Sequence, residues 1–228
     1  MMHLHITRHG QVLPATVDTW SRADYPPGDP PLSDLGMEQA RRLGERLRAQ
    51  GFSGPVYVSP YLRTVQTACR IADVADLTVE PVALLREIVN RAGQMAEFTG
   101  MNAGQLRALH KRVQPAADFD ISPWWTSHIE SDEDVEARVA PLVDAVIAAG
   151  ADALLVGHGA STCNAIHHLW RRCAPGRIGE HVPGWNCGLT TFRCGTQVEM
   201  LRHLDTEHLP DDAVTSNAKS RAQVLAES

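Results

Sequence analysis

The chain lacks any run approaching the ~18 apolar residues that a membrane span requires. Its first ten residues, MMHLHITRHG, carry no basic region followed by an apolar stretch, so no secretory signal is read there. Cysteine is scarce. Cys69, Cys163, Cys173, Cys187 and Cys194 are five in 228 residues, an odd number with no Cys-x-x-Cys pair. That count argues against a disulfide framework and predicts free thiols in a cytoplasmic protein. Excess positive charge is absent too: the formal net charge is -6. We therefore expect neither a nucleic-acid nor a membrane partner, although a local pocket can still be basic. None of His110, His128, His181, His203 and His208 falls in a ligand spacing such as His-Glu-x-x-His, and no metal site is expected. There is no internal repeat and no low-complexity segment.

What is present suits a globular α/β chain. Hydrophobic residues make up 43% of it, and its length is ample for one self-sufficient core. Leu4 and Ile6 alternate with His3, His5 and Thr7, which predicts a strand ending at Arg8-His9-Gly10. A Pro-rich loop, YPPGDPPLSD, follows. Ser33 is the expected N-cap of a helix with Leu35, Ala40, Leu43 and Leu47 on its buried face and Gly51 as its stop. In PVYVSPYLRTVQTACRIADVA a strand turns into a helix. Ser59 is its expected cap, Pro60 its first position, and Val65, Ala68, Cys69 and Ala72 its inward face. LTVEPVALLREI reads as a short strand and a loop, and residues 91–130 as an irregular inserted rim. SDEDVEARVAPLVDAVIAAGA predicts a helix with an acidic start, a Gly stop and a kink at Pro141. DALLVGHGASTCNAIHHLW reads as apolar strand, turn and helix, and GLTTFRCGTQVEMLRHL as a hairpin turning near Gly195. Strands alternating with helices indicate an α/β fold with a mostly parallel sheet. Residues 1–208 are expected to form a single domain, with 209–228 a flexible tail.

Ligands of open α/β sheets bind beyond the C-terminal ends of the strands. Three such ends here carry Arg8-His9, Ser59 followed by Arg63, and His158. Arginine offers a rigid fork of donors that matches phosphate oxygens. Helix N-termini add backbone N–H groups and a positive dipole end. Arg63, in the first turn of its helix, can lean back toward the strand end. A neutral histidine can attack through a ring nitrogen, and flanking glycines let the backbone approach a ligand closely. Together these describe a phosphate pocket containing a nitrogen nucleophile. The bland readings are a polar strand end for His9, a surface ion pair for Arg63 and a turn filler for His158. Convergence on one sheet edge counts against them. His3 and His5 are expected to be structural, and Cys163 an ordinary buried thiol.

TRHG, SPYLRTVQTA, LLREI and LLVGHG, in this order, resemble the histidine phosphatase superfamily, the phosphoglycerate-mutase-like proteins. LSDLGMEQARRLG is similar to that family's first helix, and the resemblance spans about residues 2–208. It implies a three-layer α/β/α sandwich around a six-stranded, mostly parallel mixed sheet. It implies that His9 attacks phosphorus and becomes a phosphohistidine, while Arg8, Arg63 and His158 hold the phosphoryl oxygens. Glu87 would protonate the leaving oxygen and then activate water, with Glu97 the alternative acid. No metal or cofactor is implied.

The chain departs from the family pattern in three places. Mutases and many relatives follow Arg-His-Gly with Ser or Thr and then a phosphate-binding Asn. Here RHGQVLPATVDTW offers Gln11 and Thr16 instead. Mutases carry Glu-Arg-His-Tyr-Gly around the acid, where this chain has Glu87-Ile88-Val89-Asn90-Arg91, which favours a phosphomonoesterase over a mutase. The Trp-Glu-Gly of several phosphatase branches is replaced by RAGQMAEFTG, so no substrate is implied. Position alone offers Gln11, Thr16, Trp20, Arg22, Arg91, Trp124, Trp125, His128 and Gly159 as substrate contacts, with core positions the other reading of Trp124 and Trp125. The expected partner is a small phosphorylated substrate, and a homodimer is compatible with the sequence. The alternative from another class is a phosphate-binding regulatory module with little turnover.

Overall fold

The N-terminal strand forms as β1 (Met2–Arg8) and lies inside the sheet, with a neighbour on each side. The computed structural model describes residues 1–13, 28–180, 182, 184–217 and 219–226. The following elements are α1 (Asp34–Ala49), β2 (Val56–Val58), α2 (Leu62–Ala75), β3 (Val79–Pro81) and α3 (Ala103–Leu109). Then come α4 (Asp132–Ala149), β4 (Ala153–Gly157), α5 (Gly159–Cys173), β5 (Leu189–Cys194) and β6 (Val198–Asp205). The six strands order as β3-β2-β4-β1-β5-β6. The pairings β3–β2, β2–β4 and β4–β1 are parallel, and β1–β5 and β5–β6 are antiparallel. This is the expected six-stranded mixed α/β sheet.

Side-chain alternation makes the three layers. Leu154 and Val156 of β4 face a core with Leu43 and Leu47 of α1 and Val65 and Ile71 of α2. Ala153 and Leu155 of the same strand face the opposite core, with Val139 and Val143 of α4 and Ile166 and Trp170 of α5. All five residues of β4 are buried, which explains its unbroken apolar sequence. The helix starts follow capping chemistry. Ser33 accepts from the Gly36 N–H at 3.1 Å at the start of α1. Ser131 and Asp134 exchange hydrogen bonds at the start of α4. Helix α4 continues through Pro141 and ends at Gly150, whose φ of 72° is left-handed.

Three expectations need correcting. Ser59 does not cap α2 and Pro60 is not its first residue; the helix begins at Leu62, and Tyr61, at the N-cap position, makes no side-chain cap. The cap is supplied from another loop, because the buried Asp29 carboxylate accepts from the Leu62 N–H at 2.6 Å. Residues 91–130 hold a short helix, α3, and contribute Phe98 and Trp124 to an aromatic cluster with Tyr61. Among the described residues beyond 208, expected as a loosely held tail, Leu209, Ala213 and Val214 pack against Trp185. Val214 is fully buried, and β7 (Thr215–Ser216), β8 (Lys219–Ser220) and α6 (Arg221–Ala226) follow it. No helix among the described residues is long and apolar enough to cross a membrane.

Candidate active site

The parallel strands deliver the chemistry to one edge. Beyond β1, His9 donates its backbone N–H to the Gly157 carbonyl at 3.0 Å, and beyond β2, Ser59 donates to the Val156 carbonyl at 3.0 Å. The chain turns sharply after His9 and runs against the start of α1. A Cβ on Gly10 would lie 2.5 Å from the Gly36 carbonyl oxygen, and one on Gly36 would lie 2.0 Å from the Gln11 carbonyl oxygen. Only glycines fit this crossing. Arg8, His9, Arg63 and Glu87 line one cleft of about 290 Å³, together with Tyr61, Arg91, Phe98 and Asn217.

His9 is arranged as a nucleophile. Its Nδ1 lies 2.7 Å from the Gly10 carbonyl oxygen. A carbonyl only accepts, so Nδ1 carries the proton and Nε2 keeps its lone pair. Burial holds the His9 pKa well below the usual value, and the Arg8 and Arg63 charges push it further down. The ring is therefore neutral at pH 7, as attack requires.

His158 packs edge-to-face against His9, with ring centroids 5.4 Å apart, and against Tyr61 at 5.0 Å. It is fully buried behind the cleft rather than lining it. Its Nε2 lies 2.8 Å from Ser59 Oγ, and its Nδ1 lacks a hydrogen-bond partner. That Nδ1 is 3.6 Å from Glu87 Oε2, too far for a hydrogen bond. With an acceptor group on the Nδ1 side, the favoured arrangement has the Ser59 hydroxyl donating to Nε2 and a proton on Nδ1. Burial and the Arg63 charge keep this ring neutral as well.

Arg63 is held by the Asp29 carboxylate, with Nη1 3.0 Å from Oδ1, and its guanidinium lies over the Tyr61 ring at 4.5 Å. Burial raises the Asp29 pKa to about 6 despite the attraction of Arg63. The loop carrying Glu87 is pinned from α4. Arg138 donates to the Leu84 and Arg86 carbonyls at 2.5 and 2.9 Å, and Glu130 pairs with Arg86 and Arg138. Arg8 lines the cleft and is anchored by the chain's C-terminal part, with its Nε left without a partner. Nη1 donates to the Gly184 carbonyl at 2.6 Å and to Ser216 Oγ at 3.3 Å, and Nη2 donates to Asn217 Oδ1.

The peripheral candidates fare less well. Arg91 lines the cleft. Gln11 does not; its side-chain oxygen accepts from the Ser33 hydroxyl at 2.9 Å. Trp124 is buried, with Nε1 donating to the Met101 carbonyl at 2.9 Å, and Trp125 packs beside it, so neither walls the cleft. His128 is exposed and Gly159 opens α5, both outside the cleft lining, as is the exposed Glu97. Thr16, Trp20 and Arg22 lie outside the described residues. Sequence reasoning missed Asp29, Tyr61 and Asn217. Asp29 stands in a Pro-rich loop and Asn217 in an apparent tail, and neither setting carries a local signal.

Comparison with known proteins identifies the family and the fold. The model of the histidine phosphatase superfamily, branch 1, matches residues 4–206. A 2,3-bisphosphoglycerate-dependent phosphoglycerate mutase from Methylobacterium radiotolerans is 28% identical over 167 residues, covering 69% of this chain and 74% of that one. The ecdysone phosphate phosphatase from Bombix mori, solved with tungstate, superposes with a TM-score of 0.66 at 20% identity, covering 99% and 100% of the two chains. A mycobacterial glucosyl-3-phosphoglycerate phosphatase solved with VO3 gives a TM-score of 0.59 at 22% identity, covering 89% and 98%. The chain belongs to the histidine phosphatase superfamily, branch 1.

Proposed function

We propose that this protein hydrolyses phosphomonoesters through a phosphohistidine formed on His9. The observation that carries the reading is the buried, neutral His9, whose Nδ1 is tied to the Gly10 carbonyl in a cleft shared with Arg63 and Glu87. The phosphatase names of two solved structures of this fold agree with it. In the first step Nε2 attacks phosphorus, the P–O bond breaks, and Glu87 in its acid form protonates the departing alcohol. Arg63 offsets the charge on the phosphoryl oxygens, backed by the neutral His158 ring packed against His9. In the second step the Glu87 carboxylate takes a proton from water, which attacks phosphorus. The P–N bond breaks and its electron pair returns to Nε2. The five free cysteines suit a reducing, cytoplasmic setting.

The test is hydrolysis of p-nitrophenyl phosphate by the purified protein beside His9→Ala. Wild-type turnover and a silent variant are the expected pair; equal rates would refute the role of His9. An interconversion of phosphoglycerates that outpaces hydrolysis would assign the chain to the mutases instead.

A further inference from the structure

The cleft is completed by a residue from beyond the family match. Asn217 lies past residue 206, where the superfamily model ends, yet it lines the cleft beside His9, Arg63 and Glu87. Its backbone is left-handed, with φ 54°, a conformation asparagine tolerates better than other residues with a side chain. It stands at the turn between β7 and β8, and the strand before it is fixed by a buried polar network. Thr215 Oγ1 donates to Asn186 Oδ1 at 3.0 Å, and Gln39 Nε2 donates to Thr215 Oγ1 at 3.0 Å. Asn186 Nδ2 donates to the His9 carbonyl at 2.9 Å, so the turn and the nucleophile share one scaffold.

The orientation of the Asn217 amide follows from its neighbour. A guanidinium only donates, so the amide oxygen must face Arg8 Nη2, as it does. The end left over is the NH2, a donor, at the edge of a cleft that already holds Arg8, Arg63 and Arg91. Gln11, the polar residue after Arg8-His9-Gly10, does not line the cleft, since its side chain is turned to Ser33 at the start of α1. We propose that Asn217 is a phosphate-binding residue: its oxygen orients the Arg8 fork and its NH2 donates to a phosphoryl oxygen. The C-terminal strap is thereby part of the binding site. This rests on the phosphatase reading for the ligand class alone.

The test uses the full chain carrying Asn217→Gly, which removes the carboxamide and is at ease at positive φ. Affinity for inorganic phosphate is measured by calorimetry, KM and kcat for p-nitrophenyl phosphate in parallel, and the thermal midpoint as the fold control. Phosphate affinity should fall by roughly 10-fold or more, the worth of a hydrogen bond to a charged group. KM should rise by a similar factor, with kcat changed less and the midpoint preserved. Asn217→Asp keeps an acceptor for Arg8 but sets a carboxylate against the phosphate, and should bind phosphate more weakly still. Unchanged phosphate affinity in Asn217→Gly overturns the proposal, as does wild-type affinity in Asn217→Asp. Should the glycine variant melt early, the aspartate variant decides. A wild-type protein that binds phosphate without His9-dependent hydrolysis refutes the phosphatase reading and leaves the Asn217 comparison valid; one that binds no phosphate overturns both.

Discussion

Asp29 is 1% exposed, and its carboxylate accepts from the Leu62 N–H and from Arg63. Its pKa rises from 3.8 to about 6 on folding, chiefly through burial. At about 1.4 kcal/mol per pH unit, ionising this group inside the fold costs on the order of 3 kcal/mol. The sign follows from linkage. An acid whose folded pKa is raised contributes stability fully below pH 3.8 and loses it as pH rises through about 6. Asp29→Asn keeps the shape and one acceptor but cannot ionise. The stability of the variant relative to wild type should therefore shift in its favour, by roughly 2–3 kcal/mol, between acidic conditions below the unfolded pKa of 3.8 and neutral pH. Urea unfolding of both proteins across that range reads the difference directly. The same variant should bind phosphate less well, because Arg63 loses its charged anchor. A stability difference that stays flat with pH, or moves the other way, would show that burial does not raise the Asp29 pKa.

Glu87→Gln should slow hydrolysis of alkyl phosphates by roughly 100-fold or more and of p-nitrophenyl phosphate far less, since nitrophenolate departs without a proton; equal losses would point to another acid. Ser59→Ala removes the hydroxyl at His158 Nε2. It should lower kcat by roughly 10-fold with rescue by Ser59→Thr, and 15N NMR should show the His158 tautomer no longer fixed. Gly36→Ala forces a methyl toward the Gln11 carbonyl. A loss of about 1–3 kcal/mol in thermal unfolding is expected, together with reduced activity as the turn after His9 shifts; an unchanged midpoint would show that the crossing yields cheaply.

The residues that bond along short local segments were legible in the sequence. Alternation in HLHIT places His9 at a strand end, and the unbroken ALLVG run marks β4 as a strand buried on both faces. Glu87 was legible through its short motif. Asp29, Asn217 and the Ser59–His158 contact were not, because each meets its partner through tertiary packing across tens of residues. Tertiary packing also misled in the other direction. Gln11 follows the nucleophile, yet it is drawn into the cap of α1. Trp124 and Trp125 lie in the predicted rim, yet their rings are taken up by the cluster around Tyr61 and Phe98. The polarity of 209–228 suggested a tail, while Leu209, Ala213 and Val214, spaced among polar residues, close against Trp185.

The central claim is a covalent bond between His9 and phosphorus. The direct measurement is rapid quenching of the protein with p-nitrophenyl phosphate into base, where a phosphoramidate survives, followed by intact-mass and peptide analysis. One HPO3 unit is expected on the peptide containing His9, lost on acidification and missing from His9→Ala. Phosphoryl label on another residue, or an undiminished adduct in His9→Ala, would contradict the claim.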